Sequence, residues 1–199
     1  TQYQLAHTLM PVGDYEKEEI RELAQRLGLP VAQKPDSQEI CFIPDHDHAS
    51  FIARMAGERT PSGGNFVTSD GKVLGEHRGI VHYTVGQRKG LRLAMGKPVF
   101  VTGIRPDTNE VVIGEEHEVF TKELTAGQVH CMGVPKFKDG MRFLTKIRYA
   151  HPGAMASVFS GENDTLRVVF DQPQRAVTPG QSVVFYEDGC IAGGGVIQA

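Results

Sequence analysis

Cysteine is scarce. Among 199 residues only Cys41, Cys131 and Cys190 occur, an odd number at wide spacing with no CxxC pair, which argues against a disulfide framework or a thiolate zinc site. No apolar run approaches the roughly 20 residues that a membrane span needs. No Walker motif, GxGxxG, GxSxG or HExxH is present, so no nucleotide site is visible, and the expectation is no cofactor and no metal held by this chain. Internal repeats and low-complexity tracts are also missing. The chain opens at Thr1 with neither an initiator Met nor a basic-then-apolar leader. The reading is a piece cut from something longer, at work in a reducing cytoplasm without a membrane or DNA partner.

What is present describes a globular chain: 40% hydrophobic and 23% charged residues, with length for one ample domain or two modest ones. The net charge of −3 taken alone argues against a nucleic-acid binder, but the distribution does not. Residues 77–106 carry Arg78, Arg88, Lys89, Arg92, Lys97 and Arg105 and no acid, and residues 136–150 carry five cations against Asp139. Between them, residues 107–135 hold six acids against Lys122. Charge is therefore segregated by region. The ordinary alternative is strands with solvated Lys and Arg on one face.

One helix is strongly signalled near the start. Asp14 is placed to cap it, Glu16, Glu18 and Glu19 fill its first turn, and Ile20, Leu23, Ala24 and Leu27 share one face before Gly28 and Pro30 stop it. A second helix is expected from Asp47 to Ala56, ended by Gly57. Beyond residue 64 the pattern turns to short strands: Gly79–Val85, Val99–Ile104, Glu110–Ile113, Phe143–Tyr149, Ala154–Phe159, Thr165–Phe170, Ser182–Tyr186 and Cys190–Ile197. Turn signals such as Thr178-Pro179-Gly180 and Glu187-Asp188-Gly189 separate them. Short strands with frequent turns suggest small barrels or sandwiches. Boundaries are expected near residues 45 and 126, giving segments 1–44, 45–126 and 127–199. The first cannot bury its Ile20/Leu23/Leu27 face alone and reads as the end of a larger α/β domain.

Several residues invite a chemical reading, each beside a plainer one. Cys41 sits in PDSQEICFIP; burial is the ordinary fate of a free cysteine, whereas function requires a thiolate, exposure and a cation, for which Lys34 is the local candidate. Cys131 and Cys190 read as core. Asp45-His46-Asp47-His48 resembles a metal cluster, but a helix start capped by Asp47 explains it better. Ser62-Gly63-Gly64 and Gly193-Gly194-Gly195 lack a following helix and read as turns or close strand crossings. His82 to Gly90 places an aromatic, an amide and two cations among glycines, suited to gripping phosphate; the alternative is a basic hairpin turn. On a continuing strand, Lys146 and Arg148 share one face and Ile147 and Tyr149 the other. Tyr149 stacks on an unpaired base if the strand ends there, and is core if it does not.

Taken together, these segments resemble one family, the tRNA-specific 2-thiouridylases of the MnmA (TrmU) type. The resemblance is carried by Gly13-Asp14-Tyr15, KPDSQEICF (34–42), DGKVLG (70–75) with His77 and Gly79, YTVGQRKGL (83–91), KIRY (146–149), VVFDQPQRAVTPGQSVVFY within 167–186, and Gly193-Gly194-Gly195. It covers essentially the whole chain. Two departures stand out: Arg92 and Ala94 interrupt a run usually rich in glycine, and Ala150-His151 follow KIRY where an Arg-Gln pair is usual.

The resemblance implies a mainly β fold with a small N-terminal helical part, and a central mixed/β domain followed by a C-terminal β-barrel similar to the second domain of elongation factor Tu. Residues 1–44 would be the tail of an ATP-pyrophosphatase domain whose phosphate loop and first catalytic cysteine lie outside this chain. It implies a sulfur transferase in which ATP, bound by that domain, adenylates O2 of the wobble uridine before sulfur replaces it. Cys41 would carry the persulfide and form a disulfide with the other domain's cysteine. Arg148, Tyr149 and Gln181 would contact tRNA, supported by Arg88 and Lys89, and a sulfur-relay protein would be the donor. Alone, the 199 residues would be inactive. The rival reading is a non-catalytic RNA-binding β module of the translation apparatus.

Overall fold

The computed structural model describes residues 2–35, 40, 42–43, 47–57 and 60–198. It forms two compact units, Thr1–Glu58 and Arg59–Ala199.

The first unit holds the helices α1 (Gln2–Ala6), α2 (Lys17–Arg26) and α3 (His48–Ala56). Helix α2 begins later than expected: Glu16, not Asp14, is its N-cap. The Glu19 carboxylate accepts the Glu16 amide at 2.7 Å, so an acid of the first turn satisfies the orphan N–H and makes a cap at Asp14 unnecessary. No α2 residue is buried, and Leu27 at the end of the apolar face is 66% exposed. Helix α3 starts where its sequence says. Asp47 accepts the Ser50 amide at 3.0 Å, and Gly57 closes the helix with φ 55°.

Among its described residues the second unit is built of strands, loops and two short 3-10 turns. A four-stranded sheet is built from β1 (Gly64–Val67), β2 (Val73–His77), β3 (Phe100–Arg105) and β4 (Glu110–Gly114) in the order β2-β1-β4-β3. It is mixed, with β1 and β4 parallel and the other pairs antiparallel. Phe66, Val101 and Val111 are its buried centre. Strands β5 (Phe120–Cys131), β6 (Arg142–Lys146), β7 (Ala154–Ser160), β8 (Leu166–Arg175), β9 (Ser182–Glu187) and β10 (Cys190–Ile197) close into a barrel in the order β10-β5-β8-β7-β6-β9. Closure leaves no unpaired edge. Inside it Phe137, Phe143 and Phe185 meet with ring centroids 5.2 to 5.8 Å apart, each contributing about 1.5–3 kcal/mol of burial. The fold is thus mainly β, with few helices, a mixed central sheet and a C-terminal barrel.

Several local expectations are corrected. Residues 79–85 are not a strand: Ile80–His82 form a 3-10 turn behind Gly79, whose φ of 117° breaks the extended backbone. Strand β6 ends at Lys146 rather than at Tyr149. Strands β1, β2 and β5 were unforeseen. Strand β5 sets its inward residues Leu124 and Ala126 among exposed polar neighbours (Lys122, Glu123, Thr125) and behind a bulge after Thr121, so its alternation is broken. It passes through residue 126 and belongs whole to the barrel. Cys190 is exposed rather than core, because the turn at Asp188 and Gly189, both with positive φ, sets it at an outward position opposite Glu187. Cys131 is half-buried and packs on the barrel core. Among the described residues no helix is long and apolar enough to cross a membrane.

Candidate RNA interface

Three of the motifs singled out in the sequence come together in the second unit. They line one hollow of about 530 Å3, whose walls include Gly86 and Gln87 of the first motif, Ile147 and Arg148 of the second, and Arg175, Ala176 and Gln181 of the third.

The first motif is a strap laid on β3. The Gly86 amide donates to the Val101 carbonyl at 2.7 Å and the Val101 amide to the Gln87 carbonyl at 2.9 Å. The Gln87 side chain is spent on its own loop: its Oε1 accepts the Thr84 amide and its Nε2 donates to the Lys89 carbonyl, both at 3.0 Å. Arg88 and Lys89 are exposed on this strap but do not line the hollow.

The second motif turns at the end of β6. Ile147 enters the barrel core at 2% exposure while Tyr149 is wholly exposed. Because the strand stops at Lys146, the alternation that would have put both on one face no longer applies. The turn is closed by the His151 amide on the Arg148 carbonyl at 3.1 Å. His151 is buried; its Nε2 donates to Gln174 Oε1 at 3.0 Å and its Nδ1 accepts the Gly153 amide at 3.2 Å. Burial, joined by the charges of Arg148 and Lys146, holds its pKa below the ordinary imidazole value, against the pull of the Gln174 bond.

The third motif is a turn stapled to β10. Gln181 donates its amide to the Thr178 carbonyl at 3.2 Å, and Gly180 at φ 85° after Pro179 gives it type II geometry. The Gly180 amide reaches the Ile197 carbonyl at 2.9 Å and the Ile197 amide the Gln181 carbonyl at 2.8 Å. This leaves the Gln181 side chain exposed at the rim.

Arg175, which the sequence reading did not single out, joins the three. Its guanidinium donates to the Gly86 carbonyl at 3.1 Å and lies 5.7 Å from the centroid of the Phe100 ring. Its own carbonyl accepts from Arg148 at 3.0 Å. The one signal available was its place just before the Pro-Gly turn. Three cations of the basic segments are neutralised: Arg142 pairs with Asp171 at 2.6 Å, Arg105 with Glu110 at 3.2 Å, and Lys97 with Glu115. Arg148 and Arg175 instead bond neutral carbonyls, so the hollow retains two positive charges. With amides at its rim and an aromatic ring beside it, it is suited to a phosphodiester strand with unstacked bases.

Cys41, Asp45 and His46 lie outside the described residues. Among the described residues no group of three or more His, Cys, Asp or Glu is placed to hold a metal ion. Gly193 to Gly195 lie within β10, where a Cβ at Gly193 would come within 2.7 Å of the Phe137 ring. That cluster is a close strand crossing.

Comparison with known proteins agrees along the whole chain. Residues 1–45 match the tRNA methyl transferase HUP domain, residues 49–115 the tRNA methyl transferase PRC-barrel domain, and residues 121–197 the aminomethyltransferase beta-barrel domain. A tRNA-specific 2-thiouridylase MnmA of Lachnoclostridium phytofermentans is 53% identical over 99% of this chain and 55% of its own length. Proteins of the same name from Acetivibrio thermocellus and Clostridium acetobutylicum are 52% and 50% identical over 100% of the chain, and 55% and 56% of theirs. The chain spans about half the length of the curated relatives it matches. With three consecutive domain matches and this identity from end to end, the chain belongs to the tRNA-specific 2-thiouridylase family.

Proposed function

We propose that this chain is the C-terminal portion of an enzyme that replaces O2 of the wobble uridine of tRNA with sulfur, and that its second unit grips the tRNA. The observation that carries the reading is the hollow in which Arg148, Arg175, Gln87 and Gln181 meet from three distant segments. Arg148 contacts phosphate, Tyr149 offers a free ring to an unpaired base, Gln181 hydrogen-bonds, and Arg88 and Lys89 extend the positive surface.

The chemistry belongs to the whole enzyme. The HUP match of residues 1–45 supports ATP use by the N-terminal region, which adenylates O2 with release of pyrophosphate. Cys41 carries a persulfide whose terminal sulfur attacks C2. AMP leaves with the former O2, and a thiol of the N-terminal domain takes the inner Cys41 sulfur into a disulfide, so the electrons balance. A sulfur-relay protein loads Cys41 again after reduction. The reaction is cytoplasmic, and the 199 residues alone do not turn over.

The test is Cys41→Ser in the full-length enzyme, read by mass spectrometry of tRNA nucleosides. Loss of 2-thiouridine with adenylation of tRNA retained is expected, because a hydroxyl cannot hold sulfane sulfur. Substantial 2-thiouridine from the variant overturns the relay role.

A further inference from the structure

A second concave site lies on the same unit, where Tyr83 on its wall is one residue from Thr84 of the hollow. It is a cleft of about 220 Å3 whose walls include Glu76, Arg78, Tyr83 and Arg92. Arg92 is held at φ 55°, in the left-handed region that favours glycine. The cause is next to it: Leu91 is buried at 5% exposure in the core of the central sheet, and Gly90 before it also has positive φ, 80°. The chain dips to anchor Leu91 and must turn back sharply, and the residue at the return is an arginine. Arg78 and Arg92 are both exposed, and neither has an ion-pair partner among the described residues. The opposing feature is the exposed Glu76 on the same wall.

We infer that Arg78 and Arg92 form a second phosphate site, which binds the RNA backbone next to the strand held in the hollow. Arg78 and Arg92 both line one small cleft, and a guanidinium fork matches a pair of phosphodiester oxygens. Strain retained at a cation without a protein partner is the mark of a residue kept for a ligand. The inference rests on the tRNA reading proposed above.

The experiment is filter binding of an unmodified tRNA transcript to the full chain across a salt series, with thermal melting of each variant. Arg92→Gly removes the charge and relieves the backbone. It should weaken binding about fivefold at 0.15 M salt and reduce the log K against log salt slope by about 0.7 to 0.9. Its melting temperature should hold or rise by about 1 to 3 °C. Arg92→Lys should keep most of the slope, Arg78→Ala should behave as Arg92→Gly does, and Glu76→Gln should tighten binding. If Arg92→Gly binds with unchanged slope while Arg148→Ala does not, the second site is wrong and the hollow stands. If wild-type chain binds no tRNA, the tRNA reading falls and this site with it. Saturable, Arg92-dependent binding of inorganic phosphate at micromolar concentration would assign a free-phosphate site and overturn the RNA assignment.

Discussion

Arg175 donates to the carbonyl of Gly86 at 3.1 Å across 89 residues of chain, and Gly86 has no room for a side chain there. A Cβ on Gly86 would stand 2.7 Å from that of Ala176, and its φ is 86°. The strap and the barrel are thus clasped by a backbone contact that tolerates only glycine on one side.

Gly86→Ala should accordingly destabilise the chain by about 1 to 3 kcal/mol, through the unfavourable φ and the clash with Ala176. Arg175→Ala should cost about 1 kcal/mol from the lost charged hydrogen bond. Urea denaturation reads both. Equal stability of Gly86→Ala and the wild type would show that the strap moves freely from the barrel.

Arg148 and Tyr149 are adjacent and should fail in different ways. Arg148→Ala should reduce the salt slope of tRNA binding by about 0.7 to 0.9, as one phosphate contact is lost. Tyr149→Ala should weaken binding by about 1 to 3 kcal/mol with the slope nearly unchanged, since stacking releases no counterion. The Tyr149 ring is fully exposed, so its removal should leave the melting temperature in place. A fall in melting temperature with binding intact would overturn the stacking role.

His77 and His151 should make the fold sensitive to mild acid. Each is buried, accepts a backbone N–H at Nδ1, from Gly79 and Gly153 respectively, and has its Nε2 toward an oxygen. Burial is the first cause that lowers both pKa values. The unfolded chain therefore takes up protons first as pH falls. Stability should be complete above about pH 6.5 and decline below it toward the depressed folded values. Melting between pH 7.5 and 5 reads this, and His151→Gln should flatten part of the decline. An unchanged slope in that variant would mean that His151 is not a source of it.

How much of this was legible beforehand depended on the range of the interaction. The cap of α3 at Asp47, the Pro179-Gly180 turn and strand β10 are set by residues within a few positions of one another, and the sequence placed each of them. Strand β5 was not legible, because a bulge after Thr121, which exists only when β8 lies beside it, breaks the alternation that leads to Leu124 and Ala126. The three motifs of the interface could be named from the sequence as a resemblance, but not their meeting. That depends on barrel closure, which brings Arg148 at the end of β6 to the carbonyl of Arg175 at the end of β8. Charge segregation was plain in the sequence. Which charges stay available was decided by the fold: Asp171 reaches Arg142, while Arg148 and Arg175 bond carbonyl oxygens. Local steric and capping preferences act through neighbours in the chain and can be read from it. Register, closure and the pairing of distant charges arise only when strands far apart in sequence are packed together.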